Sequence, residues 1–267
     1  MYEVYDGSHS ITIGKLITKT QDGKHFTSIS GKNTWSDWHL IPSSRPLVNP
    51  PSPNTKTISV PGANGSLDFS SLLTGYMTYQ DRTGSWEFIV ANDYWKTWEI
   101  AYSTLMAYLH GESLVCVLED EPEYYYEGLF GVNSWKSDKD WSRIVIDYSL
   151  YPYKRTIQFS DEPWLWDPFS FETGVIRNYG SISLASGASK TIKVIASEEP
   201  VIPEIYSNSN DVVLTTGGKT RHLKSGTNTY PGLRIKQSES SKEVSMVFKN
   251  NGDSSAEIKV IYRGGEF

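Results

Sequence analysis

Apolar and polar residues alternate along several short stretches of the chain. Trp86, Phe88 and Val90 interleave with Ser85, Glu87 and Ile89, and Ile144, Ile146, Tyr148 and Leu150 interleave with Arg143, Val145, Asp147 and Ser149. A period of two predicts strands with one buried face. Leu114–Leu118 is apolar at every position, which predicts a central strand covered on both sides. Tyr124–Trp135 and Trp141–Leu150 flank the polar segment Lys136–Asp140 and predict a hairpin. One stretch has a helical period instead: Tyr94, Trp98, Ala101, Tyr102, Leu105, Met106 and Leu109. They form one apolar face for packing on a sheet, with Asn92 or Asp93 as the N-cap and Gly111 as the stop.

Beyond residue 166 no long helical pattern appears. Short strands are predicted at Ser181–Ala185, Thr191–Ala196, Val212–Thr215, Leu233–Gln237, Val244–Phe248 and Glu257–Tyr262. Gly-, Asn- and Ser-rich turns such as Gly217–Gly218 and Asn250–Asp253 separate them. Such spacing predicts a small antiparallel sandwich or jelly roll.

Composition divides at the same place. All nine Trp lie at or before Trp166. Residues 1–166 carry 13 basic and 20 acidic side chains, a net of −7, while residues 167–267 carry 12 and 11, a net of +1. Two domains are predicted, joined within Tyr153–Phe171, where Pro163 and Pro168 break regular structure. Pro42–Asn54, with five prolines, predicts an extended, semi-rigid arm. The formal charge of −6 over 267 residues argues against a sequence-neutral grip on nucleic acid. No apolar run is long enough for a membrane helix, and Met1–Ser10 shows no secretory signal. The lone Cys116 excludes an internal disulfide.

Motifs for chemistry are sparse. His9, His25, His39, His110 and His222 are scattered, with no two at metal-ligand spacing. Gly218-Lys219-Thr220 imitates the end of a phosphate loop, but Val213 stands where the first glycine belongs, so a strand turn is predicted. Arg263-Gly264-Gly265 predicts a strand end. Glu119-Asp120-Glu121-Pro122-Glu123 and Glu127 are candidates for paired-carboxylate sugar cleavage, beside tyrosines Tyr124–Tyr126 that would stack on sugars. Adjacent carboxylates on one loop do not make an opposed pair, so a solvated acidic loop tip is expected. No catalytic, cofactor-binding or metal-binding residue is assigned, and no enzyme activity is expected.

A longer pattern emerges when the segments are laid end to end. Asn33-Thr34-Trp35-Ser36-Asp37-Trp38-His39-Leu40-Ile41-Pro42-Ser43-Ser44-Arg45-Pro46 is followed by Asn49-Pro50-Pro51, Val60-Pro61-Gly62-Ala63-Asn64-Gly65-Ser66-Leu67-Asp68 and Leu73-Thr74-Gly75-Tyr76. Next come Arg82-Thr83-Gly84-Ser85-Trp86-Glu87-Phe88, Tyr108-Leu109-His110-Gly111, the Asp120–Gly128 segment and Trp135-Lys136-Ser137. Tyr151-Pro152-Tyr153-Lys154, Trp164-Leu165-Trp166-Asp167-Pro168-Phe169 and Tyr262-Arg263-Gly264-Gly265 complete it. From Asn33 to the end, this order resembles the distal tail protein (Dit) family of long, flexible-tailed phages infecting Gram-positive bacteria.

The resemblance implies a mainly β, two-domain virion protein. Residues 1–158 would be a tail-tube-like β-sandwich with one flanking α-helix, and residues 159–267 a galectin-like β-sandwich. It implies a homo-hexameric ring between the tail tube and the host-adsorption apparatus, with a channel for DNA passage. The implied partners are a tail tube protein, a tail-tip hub or tail-associated lysin, and a receptor-binding protein, with no membrane and no cofactor. An alternative is a host-surface carbohydrate-binding module. For that reading residues 167–267 supply no Trp and only Arg221, His222 and Arg234 as a polar set.

Overall fold

A computed structural model describes residues 9–21, 24–62, 64–90, 98–137, 142–162, 176–177, 179–238 and 241–267. The chain is mainly β and has two domains. The first contains β1 (Ile11–Gln21), β2 (Lys24–Asn33), β3 (Leu40–Pro42), β4 (Thr57–Ser59), β5 (Ser66–Asp68), β6 (Arg82–Val90), α1 (Trp98–Leu109), β7 (Ser113–Leu118), β8 (Tyr124–Ser137), β9 (Ser142–Leu150) and β10 (Lys154–Thr156). Its main sheet runs β2-β1-β7-β8-β9-β6-β3, antiparallel between neighbours, and β4-β5 form a separate pair.

The alternating stretches find their places in this sheet. Trp86, Phe88 and Val90 are buried, and β6 pairs with β9 so that Trp86 faces Ile146 and Phe88 faces Ile144. The apolar run Leu114–Leu118 lies between β1 and β8, with Leu114, Val115, Cys116 and Leu118 buried. The β8–β9 hairpin forms, but β8 continues through Lys136 and Ser137, which pair with Arg143 and Ser142. The turn predicted from Lys136 therefore begins later, because backbone pairing carries polar residues along with it. Asp138–Asp140 lie outside the described residues.

Helix α1 presents Leu105 and Leu109, both at 0% exposure, to the core, with Tyr102, Met106 and Tyr108 packed beside them. Gly111 follows with φ of 81°, a left-handed position that closes a helix cheaply only with glycine. Tyr94 and the predicted caps Asn92 and Asp93 lie outside the described residues. The proline arm has no regular ladder. It lies along the sheet through Trp86 Nε1 donating to the Leu47 carbonyl at 2.9 Å and the Asn49 amide donating to Tyr148 Oη at 3.0 Å. A Cβ on Gly84 would collide with Tyr148 Oη and Asn49, so the arm's close approach needs a glycine there.

The second domain contains β11 (Ile182–Leu184), β12 (Ser189–Ile195), β13 (Glu204–Ser207), β14 (Val212–Thr216), β15 (Lys219–His222), β16 (Gly226–Thr229), β17 (Glu243–Asn250), β18 (Ala256–Ile261) and β19 (Gly265–Glu266). Sheets β11-β18-β13-β16 and β12-β17-β14-β15 enclose one core that includes Leu184, Val194, Ile205, Leu214, Phe248 and Ile258. Gly217 and Gly218 have φ of 54° and 72° and join β14 to β15. Two successive positive φ angles are what a tight hairpin turn demands. Gly218-Lys219-Thr220 is thus a turn and strand start. The predicted strand Leu233–Gln237 is a correction: only Ile235 makes a bridge, to Val201. Leu233 and Ile235 are buried, so their alternation signals burial without a ladder.

The chain end ties the two domains together. β10 pairs with both β8 and β19, through Arg155↔Tyr125 and Arg155↔Gly265. A Cβ on Gly264 would lie 2.5 Å from the Arg177 guanidinium, and one on Gly265 would strike Glu199. Arg263-Gly264-Gly265 is accordingly a packed strand end.

Candidate interaction surfaces

The acidic segment forms the turn between β7 and β8 and runs into β8, with Glu119, Asp120, Pro122 and Glu127 exposed, and its carboxylates hold partners from distant segments. Ser10 donates to Glu119 from both its amide (2.8 Å) and its hydroxyl (2.9 Å). Asp120 meets His9 Nδ1 at 3.0 Å and Arg45 Nε at 2.8 Å. Glu121 accepts from Lys154 Nζ at 2.7 Å and Tyr126 Oη at 3.1 Å, and Glu127 lies 3.5 Å from Arg155. Four carboxylates thus draw in donors from the start of the chain, the proline arm and the segment after β9. Burial pushes the Asp120 carboxyl up, but the hydrogen bonds and charges of Arg45 and His9 outweigh it and hold it below the usual carboxylate range.

Tyr124, Tyr125 and Tyr126 are at most 6% exposed, which corrects their reading as a sugar platform. Their hydroxyls meet Glu266, Arg263 and Glu121. Burial pushes the Tyr126 phenol well above its ordinary value, and the Glu121 charge adds to the shift. A cavity of about 500 Å³ opens between arm and acidic loop, lined by Arg45, Leu47, Val48, Asp120, Tyr126 and Lys154 among others.

Other candidates stay apart. Among the described residues no group of three or more His, Cys, Asp or Glu is poised for a metal. His9 and His25 sit in separate pairs, with Asp120 and Asp161. Cys116 is buried in β7, and burial pushes its thiol far up. Arg221 lies over the Tyr230 ring, while Arg234 reaches the Tyr76 hydroxyl of the first domain at 3.0 Å. Arg221 and Arg234 of the polar set thus turn to different partners, while His222 offers its backbone carbonyl to the Tyr230 hydroxyl.

The seam between domains went unanticipated. Arg155 makes a two-pronged contact with Glu199 at 3.0 and 2.7 Å. Burial pulls the Arg155 guanidinium down, yet Glu199 outweighs this and raises it. Arg263 stacks 3.9 Å from the Phe159 centroid and donates to Tyr125 Oη and Thr27 Oγ1, each at 3.1 Å. His25 meets Asp161 at 2.8 Å, and the Thr27 hydroxyl donates to Glu162 at 2.7 Å. Partners 136 positions apart leave no local pattern to read.

Two further surfaces stand out among the described residues. Strand β2 is one end of the main sheet's path, and the backbone N–H groups of Thr27 and Asn33 on it donate to the Glu162 and Asp37 carboxylates. The β4–β5 hairpin and the residues after it bear exposed Ile58, Val60, Leu67, Leu72 and Leu73, the last at 98% exposure.

Fold and surfaces together define a class: a two-domain β protein whose polar side chains tie distant elements to one another. No protein-family model and no curated protein sequence matches the chain. Among solved structures it is similar to the Dit protein (gp 19.1) of phage SPP1, a hub adsorption apparatus protein of phages infecting Gram-positive bacteria. The TM-score is 0.53 at 13% identity, covering 95% of this chain and 98% of that one. At this identity the likeness establishes a Dit-like fold.

Proposed function

We propose that the chain is a structural protein of a phage tail, set at the distal end of the virion. The observation that carries this reading is the likeness to a hub adsorption protein over nearly the whole of both chains. In this account residues 1–158 form a hexameric ring and residues 159–267 form an outward-facing, galectin-like domain. The ring joins the tail tube protein to a tail-tip hub or tail-associated lysin, and the outer domain docks a receptor-binding protein.

Charge supports the same reading. A channel that passes a polyanion must not hold it. Six copies of a domain whose residues 1–158 carry 13 basic and 18 acidic side chains, a net of −5, would repel phosphates if that excess faces the lumen. Edge strands of the first domain would make the subunit contacts, since pairing hides exposed backbone donors and acceptors.

Negative-stain imaging with light scattering of the purified chain tests the proposal. The expected result is a six-fold ring with an electronegative channel built by residues before about 160. A ring built by the second domain, or a lumen lined mainly by Lys and Arg, would overturn it.

A further inference from the structure

The β1–β2 hairpin has two unlike faces. The strands pair from Thr12↔Asn33 to Gln21↔Lys24, but β7 pairs with β1 only from Ile11 to Gly14. From Lys15 outward the hairpin continues past its sheet neighbour. One face carries the cross-strand pairs Leu16↔Ile29, Thr18↔Thr27 and Thr20↔His25. That face meets the second domain, through His25 with Asp161, Thr27 with Glu162, and Thr18 with Arg263.

The opposite face begins as core. Ile11 and Ile13 are fully buried, and Tyr108 of α1 donates to the Ile13 carbonyl at 3.1 Å. The same face then emerges from under the helix and continues as Lys15, Ile17 and Lys19 on β1 and Phe26, Ser28, Ser30 and Lys32 on β2. Ile17 and Phe26 are 40% and 43% exposed. None of these seven positions is acidic. Among the described residues Lys15 and Lys32 pair with Glu112 and Asp37 at the surface, and such pairs are weak.

The charge of this hairpin runs against that of its domain. Residues 11–33 hold four lysines and one aspartate, whereas the rest of residues 1–158 holds 9 bases and 17 acids. We propose that the lysine face of β1–β2 docks head to tail on the acidic first domain of a second copy of this chain. The proposal rests on the ring reading and names its contact face. Opposite signs on different elements of one domain favour a head-to-tail contact, whereas a two-fold contact through this face would set lysine against lysine. The neighbour would also cover Ile17 and Phe26, completing the core face that α1 leaves open.

The test is sedimentation velocity of the full chain over a range of concentration and salt, with near-ultraviolet circular dichroism to confirm folding. The wild type is expected to assemble, with association weakening as salt rises. Lys15→Glu/Lys19→Glu should weaken association by about tenfold or more, and Lys15→Gln/Lys19→Gln less so. Phe26→Ser provides a second, uncharged probe of the face and should also weaken it. Lys219→Glu/Lys249→Glu, an equal charge change on exposed residues of the second domain, should leave it unchanged. A wild type that stays monomeric throughout overturns the ring reading and this proposal together. A wild-type assembly indifferent to Lys15→Glu/Lys19→Glu overturns the docking face alone, as does equal weakening by Lys219→Glu/Lys249→Glu. Binding of a mixed-sequence duplex DNA that the Lys15→Glu/Lys19→Glu variant loses, with self-association intact, would reassign the face to a polyanion.

Discussion

Leu105 joins helix, sheet and core at one side chain. It has no exposed surface and sits in the cluster that includes Leu109, Phe88 and Ile144. Truncation removes its transfer free energy and leaves a cavity, so Leu105→Ala should cost about 2–5 kcal/mol by denaturant unfolding. A loss below about 0.5 kcal/mol would place it outside the core. Asp120 gives a pH-dependent expectation. Its folded-state carboxyl is held below the unfolded value by Arg45 and His9 against the opposing effect of burial. The stability it contributes is therefore complete above the unfolded carboxylate range and lost as pH falls through the lower folded value. Unfolding followed from pH 5 down to about pH 2 should show a smaller acid loss in Asp120→Asn than in the wild type. Equal loss in both would mean that the His9 and Arg45 contacts contribute nothing.

At the scale of elements, the segment after the β4–β5 hairpin offers a test that separates folding from the proposed assembly. Leu72 and Leu73 are 69% and 98% exposed, so the monomer gains little from them. Leu72→Ser/Leu73→Ser should change unfolding stability by no more than about 0.5 kcal/mol while weakening association measured by light scattering. A large stability loss with association unchanged would place these residues inside the monomer's own packing. Elements with a two-residue period and large apolar residues were legible in the sequence: β6, β7, β9, and the stripe of α1 through Leu105 and Leu109. β13, β15 and β16 were not. They are four residues each, and Lys219–His222 and Gly226–Thr229 are polar stretches drawn into sheets by their neighbours. The acidic loop was legible as a cluster but not in its role, because Ser10, Arg45 and Lys154 reach it from distant parts of the chain.

For the whole molecule, the two cores are separate in sequence: one draws on residues from Ile11 to Leu150, the other from Tyr179 to Tyr262. A fragment of residues 159–267 should therefore fold by circular dichroism. It should be less stable than the same domain in the full chain, because β19 loses β10 and Glu199 loses Arg155. An unfolded fragment would make the second domain dependent on the first. The composition shift falls between the two cores, while the contacts that join them were invisible to local pattern.

The central claim, a ring built by an acidic first domain, is tested most directly by the mass and symmetry of the assembled full-length chain. The account predicts six copies around one axis, with the first domains inside and the second domains outside. A two-fold dimer, or a chain that stays monomeric at the highest attainable concentration, would contradict it.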